Sequence, residues 1–310
     1  MMRDCLKDRK WFDEWTEFVE STIADDISTI AKPSRNPRYR PQFIRDLAFH
    51  HLKLILRRYS RGDPISELSK YLEPLLEYWE ISERLGQEVW TPQQQHSRHS
   101  WAVNLDHYID CFWLVGLALS LNIPEAQWQR LINLIGNEGE DALLDRIIAT
   151  RSPGRRIGPS LCYPKPYGRL LEAIDAALGK QASLLQHFVE HWYKDVGAAA
   201  RSGREKQAVP YKEPYWHRYH CIEGGYFGYW CIEAVAAVKA FGLDDSLCIG
   251  HPNYPGDLLH PEIVTAADVS RLLQELAATI GAPPIRPLTG EPQHLTRWEA
   301  LKQIVKNKLG

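Results

Sequence analysis

An all-α fold is what this 310-residue sequence predicts: two packed helical bundle subdomains followed by a C-terminal helical extension. Three observations carry it. Apolar residues recur at three- and four-residue steps in nearly every segment, the spacing of one helix face. No stretch sustains the alternation of a half-buried strand. Proline and glycine gather in a few places between the periodic stretches, where chains turn.

The first predicted helix, Trp11 to Ile30, sets Trp11, Trp15, Phe18, Val19, Thr22 and Ile23 on one side. The second, Arg38 to Tyr59, carries Phe43, Leu47, His50, His51, Leu54 and Arg58 on and around its face. Asp63 at the N-cap and Pro64 at the first helical position open a third, through Leu68, Leu72, Leu75, Leu76 and Trp79 to about Arg84. Trp101 to Leu121 is almost wholly apolar after Asp110 and is therefore central. Pro124 starts a fifth helix, and Glu140 to Ala149 forms a sixth.

Arg151 to Gly168 then holds four prolines, three glycines and several basic residues, and is the best domain boundary or long crossover. It separates an N-terminal subdomain, 1–150, from a C-terminal one, 169–262, with a tail over 263–310. Helices resume at Arg169 to Leu178 and Ala182 to Val196, followed by a loop over Lys206 to Pro214. Phe227 to Phe241 reads as a helix entered through Gly224, Gly225 and Gly228 and stopped at Gly242. It is apolar on most of its circumference, which places it at a bundle centre. Glu233 is the exception, either buried against Arg218 or His217 or turned to solvent. Ala266 to Ile280 and His294 to Leu309 close the chain.

Composition excludes several classes. An apolar fraction of 44% with 11% aromatic is ample for a core. A net charge of −2 gives no basic footprint for nucleic acid and is too balanced for a DNA mimic. The charged start from Arg3 onward does not fit a signal peptide, and the longest apolar run, Cys111 to Leu119, is too short for a membrane span. Six cysteines without a C-x-x-C pair indicate reduced thiols in a cytoplasmic protein. The aromatic content is compatible with a homodimer, although all eleven tryptophans can be core.

One motif has catalytic precedent. His187-Phe-Val-Glu190-His191 spells H-x-x-E-H, with two histidines on one helix face able to hold zinc and the glutamate as base. A hydrolase of that kind needs a third ligand; Glu233, Glu262 and Glu275 are available, none in a recognisable motif. Ordinary surface or core histidines are the simpler reading. His96 with His99, and His50 with His51, lack Cys or acid at metal-ligand spacing. The Glu223-Gly-Gly-Tyr-Phe-Gly segment has no preceding strand and no following Lys-Ser/Thr, so it is not a phosphate cradle. No catalytic residue and no cofactor is assigned, and an enzyme is not expected.

Charge distribution says more. Asp63 to Glu88 holds seven acidic residues against two basic ones, and Glu73, Glu77 and Glu80 line one helical face. Glu138, Glu140, Asp141 and Asp145 form a second acidic patch. Asp244, Asp245, Asp257 and Glu262 lie in a stretch without Lys or Arg. Acidic faces of this kind suit docking onto a basic partner.

Four phrases carry a family likeness: Met2 to Trp15 (MRDCLKDRKWFDEW), Tyr59 to Ile65 (YSRGDPI), Gly225 to Asp245 (GYFGYWCIEAVAAVKAFGLDD) and His251 to His260 (HPNYPGDLLH). Together they resemble the PoNi-like immunity proteins, across roughly Met2 to His260. The resemblance implies an all-α, non-enzymatic antidote to a type VI secretion or polymorphic toxin, many of which are DNases of the restriction-endonuclease superfamily. It also implies a partner encoded by an adjacent gene. The chain departs from the pattern in its proline-rich junction and in the segment from Pro261 to Gly310. The shared phrases read as structural: Arg61, Gly62 and Asp63 as a helix exit, turn and cap, and Gly225, Tyr229, Trp230 and Glu233 as core. Candidate toxin contacts are Glu73, Glu77 and Glu80 on one face, and Asp244, Asp245, His251, Tyr254 and Asp257 on another. Two inhibitory mechanisms stay open, plugging the toxin cleft and gripping the toxin elsewhere. Two other classes also stay open, a zinc hydrolase on the H-x-x-E-H helix and a helical scaffold or regulatory protein.

Overall fold

The predicted periodicity resolves, in a computed structural model, into eleven α-helices, with no strand among the described residues, 2–198, 214–220 and 224–260. The chain divides into two units, 1–271 and 272–310. The predicted Lys206 to Pro214 loop up to residue 213, and the helices Ala266 to Ile280 and His294 to Leu309, lie outside the described residues.

Helix α1, Arg9–Ile30, starts where the Asp8 carboxylate accepts the Trp11 amide at 2.8 Å. Its buried row is Phe12, Thr16 and Ile23, one position round from the predicted face. Trp11 and Trp15 are half-buried and Phe18 is 59% exposed. Helix α2, Arg40–Arg61, packs between α1 and α3 and ends at Gly62, whose φ of 93° is the left-handed cap that glycine adopts without strain.

The third helix corrects the sequence reading. Asp63 does not cap it. Its carboxylate is taken by Arg58 at 2.6 Å and Arg61 at 2.7 Å, both on the last turns of α2. The chain therefore makes a 3₁₀ turn over Ile65–Tyr71 before α3 begins, at Leu72–Val89. A short α4, Pro92–His99, was not anticipated, although Thr91 and Gln94 form a complete capping box. Helix α5, Leu105–Ser120, starts four residues later than expected because Asn104 caps it, accepting the His107 amide at 3.0 Å.

Helices α6 (Glu125–Ile135) and α7 (Leu144–Ala149) complete the first half. The second comprises α8 (Pro164–Asp175), α9 (Leu178–Gly197), α10 (Tyr215–Tyr219) and α11 (Ile232–Phe241). Helix α8 begins inside the proline-rich stretch, since proline is suited to the first helical turn. Helix α11 starts five residues later than predicted. Residues 227–231 run irregularly, with Gly228 at φ 102° and the Cys231 amide bonded to Asn253 O at 2.8 Å.

Helices α5 and α11 pack face to face at the centre, as their composition required. A Cβ on Gly116 would lie 2.7 Å from Ile232, so the helices approach as closely as a glycine permits. One apolar core runs from Ala48 to Leu258, taking in Trp79, Trp101, Trp128 and Trp192. Full burial of such a side chain contributes about 1.5–3 kcal/mol.

The stretch after Arg151 does not hang free. Arg155 donates to the buried Asp145 at 2.6 Å, and the amides of Gly139, Asp141 and Gly158 bond to the same carboxylate. Asp141, also buried, accepts the amides of Leu143, Leu144 and Cys162 and the Tyr108 hydroxyl. Two members of the predicted second acidic patch are thus loop anchors, while Glu138 and Glu140 stay nearer the surface. Burial raises the Asp145 pKa despite Arg155, so that carboxylate depends on its partner. Removing the guanidinium by Arg155→Ala is expected to cost about 3–5 kcal/mol. Urea denaturation would measure it, and a loss under about 1 kcal/mol would mean the pair is not buried as described.

Candidate functional site

The four sequence phrases meet at one place, the C-terminal end of α2. The Ser60 hydroxyl lies 2.6 Å from Phe227 O and accepts the Trp230 indole N–H at 2.6 Å. Tyr59 stands edge-on to Trp230, its hydroxyl donating to Asp257, which also pairs with Arg3. Arg3 reaches on to the carbonyl oxygens of Tyr59 at 3.1 Å and Asp63 at 2.8 Å. Asp4 accepts the Leu6 amide at 2.8 Å and the Tyr226 hydroxyl. Arg57, buried, donates to Gly224 O at 2.8 Å and Tyr226 O at 3.1 Å, and burial lowers its pKa to about 10, so it stays charged at neutral pH. Segments from both halves of the chain are thereby tied to two turns of one helix.

The predicted structural residues sit in or beside this hub. Arg61 and Arg58 hold the Asp63 carboxyl below its usual range against the opposing effect of burial. Tyr229 packs edge-on to Tyr193 and His220, and Gly225 is half-buried in the turn leading to it. Glu233 is buried, as one of its two readings had it; the Arg218 side chain lies outside the described residues. The Tyr167 hydroxyl donates to it at 3.1 Å. Burial raises its pKa to about 7, tempered by its own amide and by the indoles of Trp192 and Trp113. A buried tyrosine hydroxyl thus meets the carboxyl group where sequence reasoning looked for a cation.

The candidate contact residues divide by exposure. Glu73 and Glu80 of α3 are both paired with Arg130 of α6, whose guanidinium lies 2.8 and 3.0 Å from the two Glu80 oxygens. The bond from Arg130 lowers the Glu73 pKa. Glu77 is exposed between them. Asp244 is exposed and accepts the Ser246 amide at 2.9 Å, and His251 is half-buried. Asp245, Tyr254 and Asp257 are interior. The Tyr254 hydroxyl donates to Asp245 at 2.5 Å, and His260 lies 3.0 Å from the same carboxylate. These three residues form framework, because each is buried and already paired within the protein.

A surface the sequence reading missed lies on α1. Trp11, Trp15 and Phe18 stack in a row, with ring centroids 6.0 and 5.4 Å apart along it, and Phe18 is open to solvent. Glu17 and Asp25 are exposed on the same helix and, among the described residues, carry no ion pair; Glu77 is alike. Val19 and Ile30 of α1, with Tyr71 and Tyr78, pack on the cluster Ile23, Leu47 and Leu54. The signal was present in the sequence: a ring at positions 11, 15 and 18 lies on the edge of a stripe centred on Phe12 and Thr16.

On α9, His187, Glu190 and His191 do come together, with ligand atoms within 4.8 Å of one another. Glu233 is not part of that group; it is held by Tyr167 in the core. Glu262 and Glu275 lie outside the described residues. No helix among the described residues is long and apolar enough to cross a membrane. Cys5, Cys111, Cys162, Cys231 and Cys248 are free thiols.

The arrangement is an all-α bundle whose segments are tied together by a polar hub. Residues 3–133 match the family model for the N-terminal part of PoNe immunity proteins (PoNi), and residues 139–258 match that for the C-terminal part. The chain belongs to the PoNe immunity protein family. Its fold is similar to the crystal structure of Protein PA2201 from Pseudomonas aeruginosa, with a TM-score of 0.61 and 18% identity over 84% of this chain and 89% of that one. No curated protein matches the sequence.

Two consequences are measurable. A Cβ at Gly228 would fall 1.9 Å from the Trp230 indole nitrogen and 2.4 Å from the Ser60 oxygen, at a φ only glycine tolerates. Gly228→Ala should therefore lower stability by about 3 kcal/mol in urea unfolding, and a neutral result would remove the hub from its central role. Glu233 supplies a pH signature. Its folded pKa, about 7, lies above the ordinary glutamate value of 4.5, so between these values the folded state holds the proton that the unfolded chain has lost. Stability from this group falls as pH rises from about 4.5 to 7 and is then flat, a loss of about 3 kcal/mol. Glu233→Gln should remove that component, so its stability relative to wild type should improve between pH 5 and pH 8.

Proposed function

We propose that this protein neutralises a nuclease toxin, a type VI secretion effector of restriction-endonuclease-like fold encoded beside it, by binding it in the cytoplasm. The observation that carries the reading is the match to both parts of the PoNe immunity family, end to end over residues 3–258 apart from a short gap. The acidic, aromatic flank of α1 and α3 supports it physically. A nuclease cleft is basic because it holds phosphates, and acidic side chains beside an aromatic anchor compete for it while speeding association.

Within that reading the contact surface moves from the Asp244 to Asp257 segment toward α1 and α3. Glu17, Asp25 and Glu77 are exposed carboxylates there, and Trp15 and Phe18 supply apolar area of the type that anchors interfaces. Glu73 and Glu80 contribute through Arg130, which keeps them ordered but halves their net charge. Plugging of the cleft is preferred over a distant grip for this reason.

The test is co-expression. The neighbouring gene product should kill cells by itself and be tolerated with this chain present. A Glu17→Lys/Glu77→Lys variant and a Trp15→Ala/Phe18→Ala variant should each weaken toxin binding at least about tenfold. For the charge-reversal pair stability should change by less than about 0.5 kcal/mol, since both sites are exposed. A harmless neighbour, or one this chain does not counter, ends the proposal; unchanged binding in both variants moves the interface elsewhere.

A further inference from the structure

The H-x-x-E-H sequence on α9 is left unused by toxin binding, and its geometry is specific. Helix α9 buries Leu185, Phe188, Val189, Trp192 and Val196, so the face bearing His187 and Glu190 is turned outward and His191 is half-buried at its edge. The two imidazoles lie one turn apart with centroids 4.2 Å apart. The ligand atoms of all three residues fall within 4.8 Å of one another.

The second histidine is also oriented. His191 Nδ1 lies 2.9 Å from His187 O. A carbonyl oxygen only accepts, so Nδ1 carries the proton and the lone pair of the neutral ring is on Nε2. A metal-binding histidine is typically fixed in this way, through its other nitrogen to a carbonyl or carboxylate. The surroundings are anionic: Glu190, Asp244 and Asp245 all lie close enough to Cys248 to add to the effect of burial in raising its thiol, to about 12. A cation arriving here meets a favourable field.

We propose that His187, Glu190 and His191 form a binding site for a divalent ion of the zinc class on the outer face of α9. Two imidazoles and one carboxylate favour zinc, nickel or copper over magnesium and calcium, which prefer all-oxygen sets. Tetrahedral ligands at zinc distances stand about 3.4 Å apart. Rotation of the two exposed side chains, His187 and Glu190, closes the remaining gap without moving the backbone or breaking the His191 bond. The fourth position faces solvent and takes water. Because the ion spans one turn, it stabilises α9 and with it the folded state; the site holds an ion and is assigned no reaction.

Tag-free full-length chain, stripped with chelator, is titrated with zinc chloride by calorimetry and followed in parallel by thermal melting. One zinc per chain with micromolar or tighter affinity is expected, together with a higher melting temperature that chelator reverses. His187→Ala and His191→Ala should each weaken binding at least about tenfold and abolish the thermal shift, and Glu190→Gln should weaken it less. Circular dichroism of these surface variants checks that they fold. Magnesium chloride should give no shift. Absence of saturable zinc uptake, or uptake of equal affinity in both histidine variants, overturns the site, and neither outcome touches the toxin-binding proposal.

Discussion

The cluster around Tyr59 and Ser60 is the constraint from which the rest of this structure follows. Two adjacent residues at the end of α2 hold the N-terminal segment through Arg3, the 224–230 segment through Phe227 and Trp230, and the C-terminal turn through Asp257. Apart from the half-buried Arg3, those groups are removed from water, where a polar atom left without a partner costs about 1–3 kcal/mol. The hub is therefore cooperative: no strand or disulfide among the described residues joins the segments, and each contact stays satisfied only while the others stay in place. It fixes the entry to α11, and α11 in turn lies against α5 at the centre of the core.

A second pattern is the use of acidic residues as internal organisers. Asp141 and Asp145 gather amides from the turns around them, Asp4 and Asp257 receive tyrosine hydroxyls, and Asp245 receives Tyr254. Glu233 sits buried among aromatic rings, with its pKa raised by burial to about 7. A net charge of −2 thus understates how unevenly the negative charge is distributed. Asp4, Asp141, Asp145, Asp245 and Asp257 lie inside, while Glu17, Asp25 and Glu77 on α1 and α3 lie outside.

Helix positions were legible because apolar spacing and punctuation are local signals. Gly62 and Gly242 ended their helices as read, and α5 and α11 were recognisable as central from composition alone. Two errors share one cause, competition from another part of the structure for a group the local pattern relied on. Asp63 looked like a cap but is captured by Arg58 and Arg61. Residues 227–231 had helical spacing but are pulled out of it by Ser60 and Asn253. On α1 the apolar stripe was placed one position off, because Trp11, Trp15 and Phe18 weigh more in a hydrophobic pattern than Thr16, which is the residue actually buried.

By itself the sequence determined that the chain is helical, where its most apolar helices lie, and which family it resembles, since each rests on local pattern or on runs of identical wording. Only the tertiary structure decided which acids are available to a partner. Asp244 and Asp245 are neighbours of the same type, yet one faces solvent and the other holds Tyr254 and His260. Exposure is set by what packs opposite a residue, often from the far end of the chain, and no local spacing encodes it.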